Sequence, residues 1–258
     1  MKNQVLNIFT VVALCFAVVG CKKAKEADTS EAETVAVSES TSDKYIVNID
    51  DSSVYWTGSK PTGSHSGIIK LESGVFKVEN ETLTSGTFLI AMNSISCTDL
   101  EGEMKENLES HLKGTVEGKE GHFFDVNKFP TGVFEITGTS AGENGKTMLS
   151  GNLALKGTKH NVTFPASINI ENDEITIKTD IFSIDRTKWG INYGSKSVFD
   201  NLGDKFINDN MESILKKTAE VGMQTKMGAG TSGYYGALRS RGEPIKSGGT
   251  ADGPVHFM

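Results

Sequence analysis

Phe88-Leu89-Ile90-Ala91-Met92 sets its bulkiest side chains, Phe88, Ile90 and Met92, two residues apart. Successive side chains of an extended chain point to opposite faces, so this spacing puts all three on one face of a strand. The same period runs outward in both directions. Upstream, Val54 and Trp56 share a face opposite Tyr55 and Thr57, and Phe76 alternates with Val78. Downstream the pattern returns at Phe134 and Ile136, Leu149, Leu153 and Leu155, Val162 and Phe164, Ile168 and Ile170, and Ile175 and Ile177. Turn-forming residues fall between these runs, at Ser73-Gly74, Gly142 to Gly145 and Asn172-Asp173. About eight short strands at near-regular spacing predict an all-β protein, an antiparallel barrel or sandwich.

Thr98 to Gly114 breaks the pattern. Met104, Leu108 and Leu112 recur every four positions among Glu, Lys and Asn, which marks one narrow face of a helix. Thr98 with Glu101 has capping-box spacing, and Gly114 supplies a C-terminal stop. Such a helix can cap a barrel as ordinary packing or as a lid over an internal cavity, and the sequence leaves both open.

The two ends of the chain have a different texture. Lys2, the apolar run Val11 to Val19 and Gly20-Cys21 have the layout of a secretory signal peptide. The run is too short to span a bilayer core of about 30 Å comfortably. Val18-Val19-Gly20-Cys21 resembles a bacterial lipobox, which implies a lipoprotein signal peptide over 1–20 and a lipidated mature N-terminus at Cys21. Two or more acyl chains anchor stably, so the membrane would be a partner through the anchor alone. Lys22 stands where an inner-membrane retention Asp would be, which by the same resemblance implies an exported, outer-membrane protein on its periplasmic or surface face. Residues 21–44 have no aromatic residue and little apolar surface to offset the entropy of ordering, and are expected to be a flexible tether. Lys216 to Met258, with nine Gly and two Pro, is expected to be a disordered Gly-rich tail, a spacer sooner than a partner-binding segment. The folded domain is then 45–215, with Met211 to Leu215 as its last strand.

Composition removes several function classes. With 26 Lys+Arg against 33 Asp+Glu the formal charge is −7, which argues against nucleic acid as a partner. Cys15, Cys21 and Cys97 are not expected to build a disulfide framework or a four-ligand zinc site, and Cys97 reads as a buried thiol at a strand end. His65, His111, His122, His160 and His256 contain no i, i+4 pair, so no residue is assigned to a metal, although the first four could converge at a barrel mouth. Ser110-His111-Leu112-Lys113 has S-x-x-K spacing without its companion motifs, and Gly63-Ser64-His65-Ser66-Gly67 puts His where a nucleophile elbow needs Ser. Neither Gly-rich phosphate motif occurs. The sequence therefore predicts a non-enzyme without a cofactor. The rivals are a small hydrolase using His65 or His111 with a serine, and a solid barrel serving structure or stress response through a protein partner.

His122-Phe123-Phe124-Asp125-Val126-Asn127-Lys128-Phe129-Pro130, continued by Thr131 to Phe134, is denser in aromatics than a strand requires. It resembles the F-F-D-V-x-K-F-P-x-x-x-F signature of the YceI-like family of secreted lipid-binding proteins. Tyr45 to Trp56 resembles the family's opening strands, Gly151 to His160 its G-x-L-x-x-x-G hairpin, and Ile184 to Ile191 its I-x-R-x-x-W-G-I motif. Four motifs in the family's order over Tyr45 to about Leu215 are specific where one would be weak. The resemblance implies an eight-stranded antiparallel lipocalin-like barrel with one short capping helix. Its apolar tunnel would hold a polyisoprenoid, isoprenoid quinone or fatty-acyl chain, and a homodimer is compatible with it. Tunnel lining is then expected from Val54, Trp56, Phe76, Phe88, Ile90, Met92, Leu108, Leu112, Phe123, Phe124, Phe134, Ile136, Leu153, Leu155 and Phe164. Arg186, beside Asp185 and Trp189, is expected to pin a structural corner, with head-group binding as the lesser alternative.

Overall fold

A computed structural model of the chain describes residues 24–39, 41–171 and 174–219. Its strands are β1 Lys25–Glu26, β2 Asp28–Glu31, β3 Asp43–Ile46, β4 Ser52–Lys60, β5 Gly63–Glu79, β6 Thr82–Ala91, β7 Ser96–Cys97, β8 Thr131–Ala141, β9 Thr147–Leu155, β10 Thr158–Glu171, β11 Glu174–Thr179, β12 Phe182–Asp185 and β13 Asn210–Ala219. Among the described residues there is one α-helix, α1 Gly102–Lys113, between β7 and β8.

Eight strands make the wall. β4, β5, β6, β8, β9, β10, β11 and β13 pair antiparallel in that order, and β13 returns to pair with β4. Closure leaves no long unpaired edge, which is how a barrel avoids edge-to-edge association. Among the described residues the total is 13 strands, more than the eight expected, because short pieces attach to the ring. β5 is long enough to pair β4 with its first half and β3 with its last residues, and also takes β7. β12 follows β11 along the same side of β13. Register shifts between Leu71 and Ser73, Lys77 and Val78, and Ile136 and Gly138 bend the wall, as bulges do.

The tether expected over 21–44 is not free where the structure describes it. β1 pairs in parallel with β12, and β2 pairs antiparallel with the His160–Thr163 stretch of β10. β11 covers β10 only from Ala166 onward, so a slot opens between β10 and β12, and Lys25–Glu31 fills it. Ala27 is buried there, its N–H bonded to the Ser183 carbonyl at 2.8 Å. The chain then crosses the outside of the wall. Glu33 N–H donates to Asn152 Oδ1 at 2.9 Å while Asn152 Nδ2 donates to the Glu33 carbonyl at 2.7 Å; Ala36 N–H reaches the Ile136 carbonyl at 3.0 Å; and Ser38 Oγ meets Ser85 Oγ at 2.6 Å. A polar sequence with little apolar surface is ordered by backbone pairing to a wall already built. Composition alone does not contain that term.

Two other expectations change. Thr98 does not cap α1: its hydroxyl bonds the Ser66 carbonyl, and Glu101 occupies the N-cap without a side-chain bond. The cross-strand pairing of Thr98 with Ser66 wins over the local capping box. Gly114 does end the helix in the left-handed region, at φ 72°. The last strand runs to Ala219, past Leu215, because β11 and β4 offer it partners on both sides. The rest of the Gly-rich tail, like the signal segment and Cys21, lies outside the described residues.

Candidate functional site

The barrel is hollow at one end. A chamber of about 350 Å³ lies under α1 and the β4–β5 hairpin, and a second of about 80 Å³ continues inward. Trp56, Ile69, Phe124 and Met211 border both, so the two chambers meet at a constriction made by these four side chains.

The outer chamber is roofed by the aromatic loop. Phe124 N–H donates to the Leu112 carbonyl at 3.1 Å and Val126 N–H to the Lys113 carbonyl at 2.8 Å, which stitches the loop to the end of α1. Gly114 makes this possible, since a Cβ there would sit 2.4 Å from the Glu120 carbonyl oxygen on top of its positive φ. Leu108 and Leu112 face the chamber with Phe123 and Phe124, while Met104 is 67% exposed and leaves the expected apolar face. On the opposite rim Arg186 anchors the 3-10 turn Arg186–Trp189: Nε donates to the Asn208 carbonyl and Nη2 to the Ile207 carbonyl, both at 3.1 Å, with Nη1 on Ile191. Asp209 Oδ1 lies 3.5 Å from Nη2. Burial lowers the Arg186 pKa, while Asp209 and Asp185 act against that shift. Its donors serve the backbone, so Arg186 is the corner pin the sequence suggested. Lys156 Nζ bonds the carbonyls of Gly121 and Gly190, at 2.6 and 3.1 Å, and clamps the two loops of the rim together.

Between those loops His111 Nε2 and His122 Nδ1 lie 2.8 Å apart, and the His122 ring stacks on Tyr193 with centroids 4.2 Å apart. Burial pushes the His111 pKa down, and the neighbouring His122 and Lys119 push it further. His65 instead pairs with Asp99, and His160 with the Lys188 carbonyl, so the four histidines do not converge. Among the described residues neither His65 nor His111 is hydrogen-bonded to a serine hydroxyl.

The inner chamber is lined by the alternating strand residues. Val54, Trp56, Phe88, Ile90, Met92, Phe134, Leu153, Leu155 and Phe164 all reach it, as the alternation and the resemblance together predict. Phe76 and Ile136 do not: both are fully buried toward the end carrying the β5–β6 and β8–β9 hairpins. The sequence missed Ile69, Phe182, Ile184, Ile191, Tyr193 and Met211. Phe182 and Ile184 share alternation parity in β12 and could have been found; Ile191 and Tyr193 are in a loop, where no period marks them. Phe88, Phe134, Phe164 and Phe182 form a row with successive centroids 5.1, 5.7 and 4.2 Å apart, the last pair stacked at 5°. At the constriction the Trp56 Nε1 is buried without a hydrogen-bond partner among the described residues.

Comparison with known proteins agrees with this architecture. The YceI-like domain family matches residues 45–213, and a second family, described as ribonucleotide reductase, barrel domain, matches residues 202–258 at the end of the chain. No curated protein matches. Among solved structures, BcnA of Burkholderia cenocepacia is 19% identical with a TM-score of 0.52, covering 67% of this chain and 99% of its own. A polyisoprenoid binding domain from Saccharophagus degradans implicated in plant cell wall breakdown is 12% identical, TM-score 0.47, covering 68% and 98%. The Campylobacter jejuni YCEI protein is 14% identical, TM-score 0.40, covering 86% and 100%. The first of these shares the fold. With its family matched over well more than half its length, this chain belongs to the YceI-like domain family.

Proposed function

We propose that the protein binds, sequesters or carries one apolar chain in the two-chamber cavity, making and breaking no bond. The chambers themselves carry this reading: a path walled by Phe, Ile, Leu and Met from the rim to the aromatic row. Each methylene moved out of water gains about 0.8 kcal/mol, so a hydrocarbon needs few polar contacts to stay. The unpaired Trp56 Nε1 favours a chain that offers it an acceptor oxygen, as a fatty-acyl group or an isoprenoid quinone can, because a buried donor left alone costs about 1–3 kcal/mol.

The protein is further proposed to be exported and held at the outer membrane by lipid on Cys21. The lipobox supports this, and β1 adds a geometric consequence. Ala24 follows Cys21 by three positions, and three residues reach about 10 Å at full extension. The barrel would then ride against the membrane surface and not on a long leash.

Full-length protein from its native host is extracted with organic solvent and the extract read by mass spectrometry. One chain-bearing lipid per barrel is expected, and Ile69→Trp, which fills the junction of the chambers, should reduce its recovery at least tenfold. Consistently empty protein, or recovery indifferent to Ile69→Trp, would remove the proposal.

A further inference from the structure

At the rim of the outer chamber, three side chains with metal-ligand chemistry meet where β7 pairs with β5. β7 pairs Cys97 with Gly67 and Ser96 with Ile68, so the register continued two residues outward sets Asp99 opposite His65. Two hydrogen bonds confirm that continuation: Thr98 N–H to the Ser66 carbonyl at 2.9 Å and Ser66 N–H to Asp99 Oδ1 at 3.1 Å. Cys97 and Asp99 are two residues apart and share a face with the cross-strand His65. His65 Nδ1 lies 3.1 Å from Asp99 Oδ2, Cys97 Sγ lies 2.9 Å from Asp99 Oδ1, and one donor atom from each of the three falls within 4.8 Å of the others.

We propose that His65, Cys97 and Asp99 form a binding site for a divalent zinc-class cation, with one coordination position left open at the barrel rim. The donor set is one imidazole nitrogen, one sulfur and one carboxylate oxygen, the mixture that suits zinc and does not suit magnesium or calcium. A tetrahedral ion holds such ligands at about 2.0–2.3 Å, which sets neighbouring donors about 3.3–3.7 Å apart. With Asp99 Oδ2 as the ligand, its 3.1 Å separation from His65 Nδ1 must widen by a few tenths of an ångström, while Cys97 Sγ, whose 2.9 Å contact is with Oδ1, gives up that hydrogen bond and shifts by about 1 Å to reach the ion.

The ribbon supplies what surrounds the ligands. Ser66 N–H already fixes one carboxylate oxygen of Asp99, leaving the other for an ion, the kind of outer bond that orients a ligand. The backbone N–H of Cys97 is bound by Glu109 of α1 at 2.9 Å, and Ser96 Oγ by the same oxygen, so the thiol is carried on a fixed segment. Gly67 faces Cys97 without a side chain; a Cβ there would meet the Trp56 ring at 2.5 Å. Cys97 is fully buried while His65 and Asp99 are about one-third exposed, so the site opens on one side only, and His65 also borders the outer chamber. Hydrogen bonds satisfy the trio in the absence of an ion: the Cys97 thiol donates to Asp99. Binding exchanges that proton, released to solvent, for a sulfur–metal bond, with no change of oxidation state. Burial and the Asp99 hydrogen bond push the Cys97 thiol up, so the exchange weakens as pH falls.

Full-length protein is titrated with Co²⁺ and with Zn²⁺ against a chromophoric chelator. One equivalent per chain is expected, and cobalt should give the near-ultraviolet thiolate charge-transfer absorption that only a Cys–Co bond produces. Cys97→Ser, close to isosteric, should abolish the absorption and lower Zn²⁺ affinity at least tenfold; His65→Gln, on the exposed rim, should lower affinity comparably with its thermal transition unchanged. Wild-type protein without the absorption at stoichiometric cobalt overturns the site, and so does affinity unchanged in both variants, which places the ion elsewhere. None of these outcomes bears on whether the cavity holds lipid.

Discussion

His111 shows how much one side chain can carry at the mouth. It is on α1, half-buried, in contact with His122 from the preceding segment of the aromatic loop, edge-on to Phe123 and Tyr193, and near Lys119. Burial, and after it the proximity of His122 and Lys119, lowers its pKa in the folded state below the ordinary value of about 6.5. Between the two values the unfolded chain binds the extra proton, so stability rises with pH there and is lost as pH falls from about 6.5 through the folded value. The expected outcome is a thermal transition that drops as pH falls below about 6.5, with His111→Gln flattening that slope. A slope identical in the variant would assign the effect to other groups. The sequence named His111 and His122 as histidines that could meet, but their contact depends on the left-handed turn at Gly114, which folds the loop back onto its own helix. Arg186 was legible as a corner because Asp185, Trp189 and Gly190 surround it in sequence; its carbonyl partners at Ile207 and Asn208 were not, since nothing in their side chains announces them.

Strands were legible where one face meets the core and the other meets water, which is why β6, β8 and β10 follow from alternation alone. β1 and β2 were not, because neither has an apolar face and their order comes from backbone bonds to β12 and β10. Asn152 is the test of that strap. Its neighbours Leu153 and Leu155 alternate with Ala154 inward and outward, so Asn152 faces away from the cavity, yet it is only 2% exposed because Glu33 covers it. Asn161 Nδ2 also donates to Asn152 Oδ1, at 3.1 Å. Asn152→Ala removes the side chain that satisfies both Glu33 backbone groups, a loss of about 1–3 kcal/mol. A lower Tm is expected, with faster hydrogen exchange at Glu33 and Ala36 and little change at β8–β9 amides. Unchanged exchange at Glu33 would mean that the strap is held by the β1 and β2 pairings alone.

Across the whole molecule the same aromatic side chains both build the wall and end the cavity. Phe164 and Phe182 stack face to face against the inner chamber, and Phe76, Ile136, Leu149, Ile175 and Ile177 are buried toward the far hairpins. The available space is therefore finite. A methylene is about the size of a water, roughly 30 Å³, so chambers of about 350 and 80 Å³ hold about a dozen and about three such groups. A chain of about fifteen carbons fills the path, and a longer one must leave its excess at the rim. Affinity across a series of single-chain fatty acids should rise about fourfold per added methylene, the equivalent of about 0.8 kcal/mol, and then level off near that length. Phe182→Ala opens the floor beneath the inner chamber, so its plateau should move to longer chains while short-chain affinity falls or stays level. Equal affinity for all lengths would mean that the hydrocarbon does not enter. A plateau that Phe182→Ala leaves in place would put the limit at the Trp56–Phe124 constriction instead of at the aromatic row.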